Sequence, residues 1–266
     1  MTLIVYLLLG GCAGIIAGLF GVGGGLIIVP ALLYAFGLQQ VSPDIMTHMA
    51  VGTSLATIVV TSLSSVRAHH LRGAVQWPTV ARMVPGIILG SALGAVTAGL
   101  LSGPQLQLGL GCFVLLVAVQ MGLGLSAAPQ RELPGSFGLA GAGAVIGWVS
   151  ALFGIGGGSL TVPLLSWCNV QMQRAVATSA ACGLPIAVVA AAGYMLEGQG
   201  QPGLPAWSTG YVYWPAFAGI VIASTPCARV GAQLAHRLPA ARLKRIFAAF
   251  LLVIGARLAY GSGLLG

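Results

Sequence analysis

Residues 18–30 read GLFGVGGGLIIVP, and residues 151–163 read ALFGIGGGSLTVP. Each copy places four glycines within five residues and ends in a proline, and apolar sequence flanks both. We therefore expect the glycine turns at membrane depth. Irregular backbone there leaves N–H and C=O groups without partners unless protein or a water-filled cavity supplies them. Two broken apolar segments at matching positions of two halves are typical of a transporter's substrate site.

The composition is that of an integral membrane protein. Of 266 residues, 58% are hydrophobic and 5% charged, whereas soluble domains carry about 25% charged residues. The apolar runs are continuous rather than alternating, which argues against an outer-membrane barrel and predicts an all-α polytopic membrane protein. The net charge of +8 is concentrated in short gaps between these runs, which favours membrane orientation over nucleic-acid binding. The five scattered cysteines indicate neither a disulfide framework nor a metal site.

The apolar runs divide the chain into two similar repeats. Repeat 1, residues 1–126, is predicted to contain a glycine-broken hairpin at 3–37 and spans at 46–66, 78–101 and 104–126. Residues 127–135 form a linker. Repeat 2, residues 136–266, is predicted to contain a hairpin at 136–169 and spans at 174–194, 211–236 and 240–261. The arms that follow the turns are about 11–13 residues long, too short to cross ~30 Å of hydrocarbon.

Internal sequence identity supports a duplication. Of the seventeen residues from Gly14 to Pro30, nine are identical at positions 133 residues later. The sequence AVGTS at 50–54 also matches AVATS at 175–179, and a weaker match relates Gly94 to Gly231. This is more identity than an apolar alphabet produces by chance, so we interpret the halves as copies of one unit.

The charges in equivalent gaps predict that the two repeats have inverted topology. Gap 67–76 carries two arginines, whereas its counterpart 195–210 has no Lys or Arg. Gap 99–108 is uncharged, whereas its counterpart 236–245 carries four basic residues. The positive-inside rule then puts equivalent gaps on opposite sides of the membrane and both termini outside the cytoplasm. The alternative, four simple crossings per half, would divide the basic residues between the two faces.

Inverted repeats would bring the two glycine turns together near the middle of the bilayer. Glycine permits positive φ and leaves backbone N–H groups accessible, and each turn begins a helical arm whose N-terminus is partially positive. Such consecutive amides attract an anion. A Thr-Ser pair follows each hairpin, and its hydroxyls can donate hydrogen bonds to an oxyanion. The predicted substrate-binding residues are Gly21, Gly23, Gly24, Gly25, Thr53, Ser54, Gly154, Gly156, Gly157, Gly158, Thr178 and Ser179.

Other interpretations of these residues stay open at this point. In one alternative, the glycines serve only to let helices cross closely, although packing glycines are usually spaced four residues apart. The hydroxyls would instead bond to backbone carbonyls. His48 lies near the first Thr-Ser pair and is a candidate for proton coupling, but it has no equivalent in repeat 2. No catalytic acid pair, activated nucleophile or metal-ligand cluster is evident, so neither an enzyme nor a cofactor is expected.

Several motifs resemble the TauE/SafE family of sulfite exporters over nearly the whole chain. They are the paired glycine turns, the Thr-Ser pairs, HLRG at 70–73, GYVYWP at 210–215 and GAQLAHRLP at 231–239. The resemblance implies a multi-pass permease of the bacterial inner membrane that exports sulfite or a related sulfonate or organic anion. It also implies that the glycine turns and the Thr-Ser pairs contact the substrate.

The expected mechanism is potential-driven export with alternating access around the site. An anion channel with the same site and a membrane scaffold without transport are the alternatives. The expected partners are a small anion and the lipid bilayer, without nucleic acid, and a homo-oligomer stays open.

Overall fold

The computed structural model of the chain describes residues 2–20, 24–123, 132–235 and 240–264. These residues form ten α-helices and one two-stranded antiparallel sheet. The first five helices are α1 Thr2–Phe20, α2 Gly25–Leu38, α3 Pro43–His70, α4 Trp77–Leu100 and α5 Gly103–Gly122. The others are α6 Ser136–Phe153, α7 Gly158–Trp167, α8 Met172–Glu197, α9 Trp214–Ala235 and α10 Ala240–Gly261. Strands β1 Ser208–Thr209 and β2 Val212–Tyr213 precede α9.

Within the described part of the chain, five helices are long and apolar enough to cross a membrane. They are α3, α4, α5, α6 and α8. Shorter apolar stretches lie at Val5–Ile16 in α1, at Gly25–Leu38, which is α2, and at Trp214–Cys227 in α9. The chain is therefore an all-α multi-pass membrane protein, as its composition predicted.

The main departure from the predicted elements lies before α9. We expected a span to begin at residue 211, but Tyr211 belongs to the β1–β2 hairpin and the helix begins at Trp214. Aromatic and β-branched residues favour extended backbone, and Pro215 suits the first turn of a helix because it lacks an N–H group. The hairpin was not predicted because its apolar residues continue the pattern of the following helix.

Small residues set the closest helix contacts. On α4, Gly86 and Gly90 lie directly against the carbonyl groups of Ala140 and Ala144 on α6. A Cβ atom at Gly14 on α1 would lie 2.7 Å from the Cα atom of Ser224 on α9. Backbones that approach this closely gain van der Waals contact, the main attraction between helices in a bilayer.

The helix pairings follow a regular exchange pattern. Helix α1 packs mainly on α9, and α6 packs mainly on α4, while α3 pairs with α8 and α5 with α10. Exchanging each helix for the one five places away in the chain gives the same set of pairs. For example, the pair of α1 with α9 becomes the pair of α6 with α4. The first arm of each hairpin, α1 or α6, therefore packs on a helix of the opposite half, whereas α2 and α7 pack mainly on α3 and α8 of their own halves. The N-terminus of α2 contacts the C-terminal end of α6.

Candidate functional site

The second glycine turn joins α6 to α7 through two left-handed residues. Gly154 has φ 69° and Gly157 has φ 71°. A side chain in this conformation costs about 1–2 kcal/mol, so glycine is the natural residue at both positions. A Cβ atom at Gly157 would also lie 2.6 Å from Ile186 Cδ1 on α8. The sequence pattern therefore identified a backbone break that only glycine fits well.

The turn contains four consecutive amides that have no acceptor in the described part of the chain. No described residue accepts a hydrogen bond from the backbone N–H of Gly156, Gly157, Gly158 or Ser159. The first two belong to the turn, and the other two begin α7. The N-terminus of a helix carries a partial positive charge of about half a unit, so these amides form an electropositive site. Such a site is chemically suited to bind an oxyanion.

Buried hydroxyls without partners accompany these amides. Among the described residues, Ser150, Ser159 and Thr161 have buried side-chain oxygens with no hydrogen-bond partner. A Cβ atom at Gly157 would lie 3.6 Å from Thr161 Oγ1, so this hydroxyl lies beside the turn. Unpaired buried hydroxyls cost free energy, which a ligand would recover by bonding them.

Ser179 adds a fourth such hydroxyl from α8. Its buried oxygen likewise has no partner in the described part of the chain. One turn further along α8, a Cβ atom at Gly183 would lie 2.6 Å from the carbonyl oxygen of Gly156. This face of α8 therefore packs against the second glycine turn, and of the predicted hydroxyls only that of Ser179 is unpaired.

The first glycine turn is described only in part. Gly21 and Gly23 lie outside the described residues. Gly24 has φ −63° and ψ −23°, an ordinary helical conformation that differs from that of its counterpart Gly157. Gly25 begins α2 and lies against the carbonyl oxygen of Gly154, and a Cβ atom on it would lie 2.9 Å from Ile155 Cα. The two turns therefore meet, and Gly25 permits the contact.

The other three predicted hydroxyls bond to backbone groups. Ser54 donates to the carbonyl oxygen of Gly154 across 3.0 Å, which satisfies a carbonyl freed by the break after α6. Thr53 Oγ1 accepts from the backbone N–H of Tyr213 across 3.0 Å, and Thr178 Oγ1 accepts from that of Gln76 across 3.1 Å. The last two bonds are counterparts, since each joins a Thr-Ser pair to the segment before a helix of the opposite half.

Five aromatic side chains cluster around the hydrogen bond between Thr53 and Tyr213, a region that we call the Thr53 end; the region around Thr178 and Gln76 is the Thr178 end. Tyr6, Phe36 and Tyr213 contact one another edge to face, with ring centroids 5.9–6.4 Å apart. Tyr211 lies 6.4 Å from the ring of Tyr194. We name these five residues the aromatic cover. At the Thr178 end, the counterparts of the five are Leu139, Asn169, Gln76, Ala74 and His69.

His48 adjoins the aromatic cover. Its ring stacks on Tyr211 with centroids 4.9 Å apart, and its Nε2 lies 2.9 Å from the carbonyl oxygen of Ala98. The Nδ1 atom is buried, with no partner among the described residues. Tyr211 lies between α8 and α9, and burial, followed by the nearby Glu197 carboxylate, raises its pKa. His48 thus lies at one end of the molecule and does not contact the second glycine turn through any hydrogen bond.

Three buried hydroxyls near the second turn were not among the predicted site residues. Sequence reasoning missed Ser150, Ser159 and Thr161, whose counterparts in the first copy are Ala17, Leu26 and Ile28. A position-by-position comparison of the copies would have revealed this polar difference. Among the described residues, no group of three His, Cys, Asp or Glu side chains could hold a metal ion.

Broken helices that meet between two five-helix halves of a multi-pass bundle are an architecture of membrane transporters. A family model described as "Sulfite exporter TauE/SafE" matches residues 6–258, so the chain belongs to this family of membrane transporters.

Relatives agree with this assignment. A "Probable membrane transporter protein" of Haemophilus influenzae is 34% identical over 260 residues, covering 95% of this chain and 96% of the relative. The "Probable membrane transporter protein YunE" of Bacillus subtilis is 27% identical, covering 98% of each chain. A third relative, from Methanocaldococcus jannaschii, is 26% identical over 67% of each chain. No solved structure matches the chain.

Proposed function

We propose that the chain is a secondary transporter that exports a small oxyanion, sulfite or a related sulfonate or organic anion, across the bacterial inner membrane. The observation that carries this proposal is the set of four amides from Gly156 to Ser159, beside buried hydroxyls, all without hydrogen-bond partners among the described residues. Amides and hydroxyls supply donors to the oxygens of a pyramidal or tetrahedral anion. The family's description as sulfite exporters supports sulfite as the first ligand to test.

The proposed binding site combines both turns. Gly156, Gly157 and Gly158 would donate from the second turn, and Ser179 would donate its hydroxyl from α8. Gly25 and Gly154 would hold the turns together, while Thr53, Ser54 and Thr178 would fix the surrounding backbone rather than touch the anion. Gly21, Gly23 and Gly24 would complete the site from the first turn. The chain has only three acidic residues, and none of them lies near the second turn in sequence, so repulsion of an anion is low.

The proposed transport cycle uses inverted repeats and alternating access. The exchange pattern of the helix pairings and the opposite charges of equivalent gaps both support an inverted pair, with both termini outside the cytoplasm. The aromatic cover favours a carrier over an open channel, because its five side chains are all buried rather than exposed along a pore. Outward movement of one negative charge is favoured by about 2.3 kcal/mol per 100 mV of inside-negative potential.

Sulfite flux from proteoliposomes of known membrane potential tests this function. We expect saturable efflux that rises with an outward driving potential and is lost in Gly157→Ala. Flux without dependence on potential would contradict electrogenic export. Unitary currents that do not saturate would indicate the channel instead, and absence of both flux and binding would indicate a scaffold.

A further inference from the structure

A lateral groove on the surface of the bundle is lined by none of the residues proposed to bind the anion. It has a volume of about 610 Å³ and is formed by α1, α2, α10 and the facing ends of α3 and α5. Helix α1 packs mainly on α9, and α10 packs mainly on α5, which leaves this space between α1 and α10. Its walls are largely aliphatic, with Ala31 on α2 and Ile254 on α10 among them.

The depth of the groove matches one leaflet of a bilayer. Along α2 it runs from Ile27 to Leu38, a rise of eleven steps or about 16 Å at 1.5 Å per residue. Half of the hydrocarbon core of a bilayer is about 15 Å. The groove therefore begins where α2 and α10 end, at the expected level of the lipid headgroups, and extends to the vicinity of the first glycine turn.

Arg257 places a positive charge at the end of the groove where α2 and α10 end. The guanidinium of Arg257 lies 5.3 Å from the ring centre of Tyr34, and both side chains are exposed. No described Asp or Glu lines the groove, and Gln107 is engaged with the carbonyl oxygen of Leu258 across 3.2 Å. An arginine held in this way has donors free for a phosphate, which it binds in a bidentate fashion. Tyrosine is also enriched at the membrane interface.

We propose that this groove is a binding site for an anionic phospholipid, with one acyl chain along α2 and the phosphate on Arg257. The apolar walls contact the acyl chain, and the positive charge of Arg257 at the rim selects for net negative charge in the headgroup. A second copy of the chain would fit this surface less well, because it would have to bring a carboxylate to Arg257, and the chain has only three acidic residues. The proposal is independent of which anion the transporter carries.

Native mass spectrometry of the full chain tests the lipid site. The protein is stripped of lipid in mild detergent and then titrated with phosphatidylglycerol or with phosphatidylcholine of the same acyl chains. Glycerol phosphate serves as the headgroup without a chain. We expect the wild type to retain phosphatidylglycerol about tenfold more strongly than phosphatidylcholine and to bind glycerol phosphate too weakly to detect.

Two variants separate the contribution of the lipid headgroup to binding from that of the acyl chain. Arg257→Gln should lower phosphatidylglycerol retention to the level of phosphatidylcholine. Gly37→Leu should lower retention of both lipids, because Gly37 lines the groove and a Cβ atom there meets no atom within 4 Å, so leucine can fill the groove without distorting α2. Arg82→Gln on α4 is the matched control, since Arg82 is exposed outside the groove, and it should behave as the wild type.

Three results would overturn the proposal. One is equal retention of the two lipids by the wild type, and another is unchanged phosphatidylglycerol retention in Arg257→Gln. The third is a lipid-free dimer that Arg257→Gln and Gly37→Leu both dissociate, which would identify the groove as an interface between copies. If Gly37→Leu does not fold, Arg257→Gln against Arg82→Gln decides the outcome alone.

Discussion

The two glycine turns have almost the same sequence but different surroundings. Three residues close to the second turn in sequence carry buried hydroxyls, and the equivalent residues of the first turn are apolar. The pairs are Ser150 and Ala17, Ser159 and Leu26, and Thr161 and Ile28. Gly157 is left-handed, whereas Gly24 is helical. The glycine sequence recurs in both halves, whereas these polar residues occur only beside the second turn. We infer that the second turn contributes most of the binding free energy for the anion, and that the first turn mainly supports it.

Matched alanine substitutions at the turns should show the largest difference. Gly157→Ala forces a side chain into left-handed backbone, at a cost of about 1–2 kcal/mol, and brings it against Ile186. We expect a lower melting temperature and loss of the sulfite-induced thermal shift. Gly24→Ala keeps ordinary helical backbone and, among the described residues, meets only the flexible end of Ile28, so its effects should be much smaller. Equal losses in both variants would mean that the turns contribute equally.

Removal of a single hydroxyl should show the next largest effect. Thr161→Val deletes an oxygen that has no partner among the described residues, so the folded protein loses no hydrogen bond. Sulfite affinity should fall by about tenfold or more, because a hydrogen bond to a charged group is worth about 1.5–3 kcal/mol. Isothermal titration measures this, with Ile28→Val at the equivalent position of the first copy as the control. Unchanged affinity in Thr161→Val would exclude this hydroxyl from the site.

The counterpart hydrogen bonds to Thr53 and Thr178 should differ in their contribution to stability. Thr53→Val leaves the N–H of the buried Tyr213 without an acceptor, which costs about 1–3 kcal/mol. Thr178→Val should cost less, because Gln76 is only partly buried and water can replace the hydroxyl. Thermal unfolding of the two variants compares the two ends directly. A larger loss in Thr178→Val would contradict the idea that the aromatic cover keeps water from the Thr53 end.

Substitution of His48 should have the smallest effect. Histidine is the side chain whose charge commonly changes between pH 5 and 8. The groups around it are Tyr211, which stacks on it, and Tyr194 and Glu197, which both lie near Tyr211. If His48 couples proton movement to export, His48→Gln should retain most of the flux but lose its dependence on pH. Measurements of flux from pH 5 to 8 test this, and an unchanged profile would remove His48 from the mechanism.

Sequence reasoning predicted the helical fold and the second glycine turn, because each depends on local composition and on residues close in the chain. The same reasoning could not predict that Thr53 bonds to Tyr213, which lies 160 residues away in strand β2 before α9. Nor could it distinguish Ser179, which is unpaired, from Ser54, which bonds to Gly154, because the two occupy equivalent positions in nearly identical motifs. Arg257 was missed because it lies inside a segment predicted only as a span.

The location of a bound anion tests the central claim most directly. Selenite is a heavier analogue of sulfite, and its anomalous scattering identifies its position in crystals of the protein. We predict a selenium peak beside the backbone amides of Gly157 and Gly158, close enough for the oxygens of the anion to accept hydrogen bonds from them. A peak at another place in the bundle, or none at a selenite concentration that saturates transport, would contradict the account.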